Sequence, residues 1–390
     1  MQSRISLGTT SWLAMLLAAM ALLPALAPAG TLPEDRADLL YHRYEGGGVT
    51  IQGPSVLVRK TMAEKYSVSA NYYVDMISSA SIDVRVSGAS RYSEQRNQYN
   101  LGFDYLRGKT TYSLGYTDSS ENDYKAGTFS FNIAQDLFGD LTTLNMGFSK
   151  GSDTVRKRND PGFEAGIDRW SYRVGLTQIL TKRLLMGANL EVITDQGYLN
   201  NPYRSFRYLD PEDPTGSSYR LATEIYPRTR TSNAISLSAR YFLPYRAALH
   251  GSYRFFTDTW GIGAHTIEVG YVHPWKSTPW TFEASMRFYR QSHADFYADL
   301  FATRDFQNFM GRDKELSTFT NKSLHVGASY AFANSGWRFI KRGTVNLFYD
   351  RLMFDYDDFR DASNRGLVAG TEPLYSFGAN VFQCFVSIWF

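Results

Sequence analysis

Read with a period of two, segment after segment of the chain separates into an apolar and a polar face. In YSVSANYYVDM, Tyr66, Val68, Ala70, Tyr72, Val74 and Met76 share one side, and Ser67, Ser69, Asn71, Tyr73 and Asp75 share the other. YNLGFDYL repeats the pattern, with Tyr99, Leu101, Phe103 and Tyr105 set against Asn100, Gly102 and Asp104. The alternation runs on through TYSLGYT, TFSFNIA, TLNMGFS and SYRVGLT, and then through LLMGANLEV, AISLSARYF, ALHGSYRFF, HTIEVGYV, WTFEASMRFY, SLHVGASYAF and TVNLFYD. No segment of comparable length spaces its apolar residues as a helix would, so the chain predicts one all-β domain without a linker.

The connections carry a second regularity. Short ones, such as AEK at 63 to 65, RGK at 107 to 109, LTKR at 180 to 183, LPYR at 243 to 246 and KSTP at 276 to 279, alternate with longer polar ones at 78 to 97, 152 to 167, 195 to 231, 291 to 317 and 355 to 375. TDSSEN and DTWGIG are short members of the second set. Tight turns at one end and extended loops at the other are the asymmetry of a transmembrane barrel, with short periplasmic turns and long extracellular loops. Applied along the chain, the rule predicts a closed antiparallel barrel of about 16 strands, or about 14 if the weakly patterned YHRYEGGGVTIQGPSVLVRK forms no strand pair. Both chain ends then lie on the periplasmic side.

A soluble sandwich also alternates, so the residues on each face must decide. The polar face is rich in Ser, Gly, Asn and Thr, and mid-strand Lys, expected on a water-facing sheet, is scarce. The apolar face carries Tyr repeatedly toward strand ends, where hydroxyls meet lipid headgroups. Aromatic residues make up 15% of the chain, which suits a protein with two membrane–water interfaces. Closure also removes the unpaired edge strands that so many alternating segments would expose.

The first residues predict export. MQSRISLGTT carries one positive charge, WLAMLLAAMALL is too short for the roughly 20 residues that span hydrocarbon, and ALAPAG supplies small residues for cleavage after Ala29. Residues 1–29 are thus expected as a removable signal and 30–390 as the barrel. Lys plus Arg number 41 against 38 acids, and this near-balance argues against a nucleic-acid partner. The single Cys384 excludes an intramolecular disulfide and a cysteine metal cage.

The chain ends VFQCFVSIWF, and Phe382, Cys384, Val386, Ile388 and Phe390 fall on one face. This stretch resembles the C-terminal strand of Gram-negative outer-membrane barrels. That resemblance implies that Phe382, Val386, Ile388 and Phe390 are read by the barrel-assembly machinery, and Cys384 is then a lipid-facing packing residue. GPSVLVRK, SVSANYYVDMISSASIDV, DYLRGKTTYSLGYT, DLFGDLTT, ALHGSYRFFTDTWGI, RDKELSTFT and PLYSFGANVFQCFVSIWF are similar to an uncharacterised family of predicted outer-membrane barrels, a domain of unknown function. The resemblance covers nearly all of the mature chain. It implies fold and location, and it brings no substrate or catalytic residue.

Motifs for chemistry are few. RGKTT lacks the upstream glycine of a phosphate loop, where Phe103 stands, and GIGAHT lacks the third glycine of a dinucleotide fingerprint. No cofactor is expected. FDYDDFRD gathers Asp355, Asp357, Asp358 and Asp361 as the chain's candidate cation ligands, but EF-hand spacing is missing and a solvated acidic loop is the simpler reading. QSHADFYADLFATRDFQNFMGRDKEL predicts a short helix with Phe296, Leu300, Phe301 and Phe306 on one side, folded into the mouth or left outside it.

No local motif pairs a nucleophile with a base, so a membrane-embedded hydrolase is the least supported role and no enzyme is expected. The expected role is a porin-like channel or transporter for small polar or ionic solutes. Arg173, Arg240, Arg254 and Arg287 would line the pore opposite Asp75, Asp104, Glu191, Glu268 and Glu283. The alternative is a plugged, non-conducting scaffold or docking partner in the envelope, with outer-membrane lipid around it in either case.

Overall fold

The computed structural model describes residues 30–79, 92–158, 160–333, 336–363 and 366–390. The expected signal segment and most of the connection at 78–97 lie outside the described residues. Eighteen strands form: β1 (Arg36–Gly46), β2 (Val49–Met62), β3 (Tyr66–Ser79), β4 (Tyr92–Arg107), β5 (Thr110–Ser120), β6 (Tyr124–Leu137), β7 (Thr142–Lys157), β8 (Asp160–Thr181), β9 (Leu184–Gly197), β10 (Ser205–Leu209), β11 (Tyr219–Thr223), β12 (Thr229–Phe242), β13 (Ala248–Asp258), β14 (Gly263–Pro274), β15 (Trp280–Gln291), β16 (Phe319–Phe332), β17 (Arg342–Arg360) and β18 (Leu374–Trp389). Sixteen of them close into one antiparallel barrel, and β10 with β11 makes a separate hairpin in an outer loop.

Closure comes from β1 and β18, which pair without interruption from Arg36↔Trp389 to Gly46↔Ala379. The last residue is therefore held in place: Phe390 N donates to Asp35 O at 3.3 Å, and the Lys60 ammonium sits over its ring. The weakly patterned YHRYEGGGVTIQGPSVLVRK does form a strand pair, so the count is 16 barrel strands. Its turn needs two residues with positive φ, supplied by Gly47 (58°) and Gly48 (78°), and glycine takes that conformation without a Cβ clash.

The outward positions carry the large apolar side chains, which stay open to the surroundings: Leu101 is 58% exposed, Val269 58% and Met286 69%. Such a belt around a closed sheet belongs in lipid, since closure leaves no unpaired edge strand and the apolar surface meets acyl chains. Among the described residues no helix is long and apolar enough to cross a membrane, and the crossing elements are strands. Rings collect at the short-turn end, where Tyr66 stacks on Tyr105 at 5.3 Å and Trp280 meets Tyr330 at 5.0 Å. Cys384 shares the lipid face with Phe382, which is 42% exposed, as the terminal alternation predicted.

Two expectations need correction. The polar stretch 152–167 is mostly strand, because β7 and β8 stay paired as far as Arg156↔Glu164. A hairpin that rises clear of the membrane is wet on both faces, so it loses the apolar alternation while keeping its hydrogen bonds. The aromatic run after Gln291 forms no helix beyond a single 3-10 turn at Lys314–Leu316. Phe296 joins one cluster with Tyr226 and Trp260, Phe301 joins another with Phe206 and Met310, and Phe306 is exposed. These side chains serve different partners, so no single helical face is needed.

Candidate functional site

Parity along each strand turns Asp75, Asp104, Arg173, Glu191, Arg240, Arg254, Glu268, Glu283 and Arg287 away from the lipid-facing residues and toward the lumen. They do not form two opposed rows. Arg173 and Glu191 are direct cross-strand partners, with Nε 2.6 Å from Oε1, and Arg254 approaches the other oxygen of Glu191 at 3.5 Å. Glu268 lies opposite Arg287 in the ladder and 3.8 Å from His250. Glu283 meets His325, which also meets Asp350 at 2.7 Å. Asp75 and Asp104 stand apart, on β3 and β4, and Arg240 on β12 has no ion-pair partner among the described residues. Charges on adjacent strands neutralise each other locally, which costs less than facing them across a wide lumen.

Asp75 is buried and heavily bound. It accepts from Arg96 and sits 2.7 Å from Nε2 of His42, whose ring stacks on Tyr73 at 4.9 Å. Sequence reading placed Tyr73 on the same face as Asp75 but missed His42 and Arg96, because nothing local marks partners that arrive from β1 and β4. Asp104 accepts from Ser113 at 2.6 Å. Around it, β4 to β7 present small polar residues to the lumen, such as Asn100, Gly115, Ser130 and Gly147, and these leave the interior open on that side.

Above the lumen the outer loops knit into a cap. Arg207 on β10 is fully buried and donates to Glu372 from the β17–β18 loop and to Asp299 from the β15–β16 loop. Arg312 adds a second buried guanidinium: Nη2 lies 2.9 Å from Asp299, donates to Arg360 O at 2.8 Å, and packs over the Phe359 ring. Glu224, also buried, accepts from Arg312 N at 2.6 Å and from the Tyr226 hydroxyl at 2.6 Å. Burial opposes ionisation of Glu372, but the hydrogen bonds from Arg207 and the backbone prevail and hold its carboxyl below the usual range. Burial, reinforced by Glu224, pushes the Tyr226 hydroxyl well above its ordinary value, so it stays a donor.

The cap reaches several rims of the barrel. Tyr203 bonds Asp123 in the β5–β6 loop and accepts from Arg158 N at 2.8 Å beyond β7. Tyr219 donates to Ala362 O at 3.4 Å, and Tyr297 to Asp358 O at 3.0 Å. Between the cap and the upper lumen wall lies a cavity of about 460 Å³, lined in part by Arg169, Asp195, Arg230, Trp260 and Leu316.

The acidic run does not converge on a cation. Asp355 faces Lys322 at 3.9 Å, Asp357 faces Arg290 at 3.8 Å, Asp358 accepts from Thr318 N at 2.8 Å, and Asp361 accepts from Ser363 N at 3.0 Å. Adjacent strand positions point to opposite faces, which separates residues that are neighbours in sequence. Among the described residues, Glu94, Glu121 and Asp123 are the carboxylates whose ligand atoms come within 4.8 Å of one another.

No curated protein matches the chain. Among solved structures, a bacterial polysaccharide outer membrane secretin is similar in outline, with a TM-score of 0.48 at 9% identity over 91% of this chain and 98% of that one. OmpT of Vibrio cholerae gives 0.44 at 9% identity over 93% and 100% of the two chains. A FadL homologue of Pseudomonas aeruginosa gives 0.43 at 10% identity over 92% and 91%. Residues 87–169 and 164–342 match the family model of the protein of unknown function DUF3570, and since these matches span more than half of the chain, the protein belongs to that family.

Proposed function

We propose that the protein is an outer-membrane channel or transport protein for small polar or ionic solutes, its outer mouth held by the loop cap. The observation that carries this reading is the openness of the mid-barrel charges. The side chains of Arg173, Arg254 and Glu268 keep 65%, 40% and 37% of their surface accessible although they point inward. A lumen packed with side chains would bury them, so the accessible surface supports a water-filled interior. The short turns lie at the same end as the start of β1 and the end of β18, an end taken as periplasmic. Phe382, Val386, Ile388 and Phe390 are the residues through which the assembly machinery would recognise the last strand.

A second reading has its own observation. Three loops tied through buried ions over the mouth suit a non-conducting scaffold or an envelope docking partner. Conductance separates the two. Purified protein in a planar bilayer should pass current, more so when the cap is loosened; stable insertion without current in either state removes the channel reading.

A further inference from the structure

The lumen is not uniformly polar. Leu40, Leu352, Phe348, Val381 and Phe385 occupy lumen-facing positions on β1, β17 and β18, and all are half-buried, so part of each meets the interior. Three of them are contiguous: Leu40 is the ladder partner of Phe385, and Phe348 meets Phe385 edge-on at 5.3 Å, while Gln383 and Asp350 on the same face separate this trio from Val381 and Leu352. Water gains nothing from an apolar wall inside a wet channel, and a contiguous apolar patch open to solvent usually marks a binding surface.

Strand order places this wall. Going round the closed sheet, β18 stands opposite β8 and β1 opposite β9, so the apolar wall looks across at Arg173 and Glu191, with Arg240 and Arg254 beside them on β12 and β13. The depths overlap: Leu40 lies four residues into β1 from Arg36, Phe385 four before Trp389 and Phe348 six into β17 from Arg342, against Arg254 six into β13 from Ala248 and Arg173 eight before Thr181. Among the described residues Arg240 has no ion-pair partner, so the charged sector retains an uncommitted guanidinium group.

We infer that the cargo is an amphipathic organic anion, a compact aromatic or alicyclic body bearing a carboxylate. This rests on the channel reading and narrows it. The ring would travel along Phe348 and Phe385 while the carboxylate is met by guanidinium groups across the lumen; arginine suits carboxylates because its planar fork can bond both oxygens.

The test uses full-length mature protein with phenylacetate and acetate as probes, read by equilibrium dialysis in detergent and by efflux from proteoliposomes. Phenylacetate should bind, and acetate should not at the same concentration. Phe348→Ser with Phe385→Ser should weaken phenylacetate binding about tenfold, the loss expected when a ring's stacking and burial are removed. Because that pair could perturb folding, Arg240→Gln with Arg254→Gln, at lumen positions on the facing strands β12 and β13, provides a second arm and should weaken binding by a similar factor. In efflux, phenylacetate should leave at least as fast as the smaller acetate. The inference is overturned if phenylacetate does not bind, or if neither pair of substitutions changes its binding. Binding without efflux of either probe, even from a cap-loosened variant, would remove the channel reading while leaving the ligand class standing.

Discussion

Arg207→Met is the sharpest test of the cap. The guanidinium is fully buried, and it serves Glu372, itself 1% exposed, and Asp299. Replacing it with an apolar chain of similar length leaves Glu372 without its cation and Asp299 with Arg312 alone, and breaking a buried pair from one side costs about 3–5 kcal/mol. That cost falls on the loops, since none of Arg207, Asp299 and Glu372 lies in a barrel strand. At about 1.4 kcal/mol per decade, the closed-to-open ratio of the cap should fall roughly a hundredfold to a few thousandfold. Limited proteolysis should show rapid cleavage within 198–228 or 361–373 while circular dichroism shows the strand content unchanged. Acid should act through the same cluster. Because the folded pKa of Glu372 is lowered, its contribution is complete above the usual value of 4.5 and is lost as pH falls below it, so the wild-type cap should loosen on acidification. Wild-type cleavage rates for Arg207→Met at neutral pH would refute the reasoning.

Further outcomes follow from the barrel itself. Glu191→Gln removes the carboxylate shared by Arg173 and Arg254, and at about 1 kcal/mol per charge at ~4 Å in water it should raise chloride preference roughly fivefold, read as a reversal potential in asymmetric salt; an unchanged potential counts against a conducting lumen lined by these groups. Cys384, on the lipid face, should resist a charged maleimide in a folded, bilayer-embedded protein and react after unfolding; full labelling of the folded form would contradict the assigned parity. At Gly53 an added Cβ would lie 1.8 Å from Val74 O, so Gly53→Ala should destabilise the β2–β3 pair by about 1–3 kcal/mol, whereas Gly166→Ala, whose nearest neighbour is 4.0 Å away, should melt near the wild-type temperature. Removing Phe390 should lower the yield of assembled barrel in the outer membrane, measured against total protein; equal assembly would remove the proposed recognition role.

By itself the sequence determined the sheet: which residues meet lipid, which meet the lumen and where most of the turns fall. These are legible because strand parity and turn length are local, and a two-residue period survives any closure of the sheet. It also named Asp75, Glu191 and Arg254 as inward charges, from their positions between apolar neighbours. Only the tertiary structure decided who pairs with whom. His42 reaches Asp75 because β1 and β3 both flank β2, and Arg207 and Glu372, 165 residues apart, meet only when two loops from distant hairpins fold over the same opening. Once the chain leaves the membrane, both faces of a strand are wet and aromatic residues go to whichever cluster can bury them. The periodic signal therefore stops where the cap begins, and the ion pairs that hold the cap depend on burial that no single segment can announce.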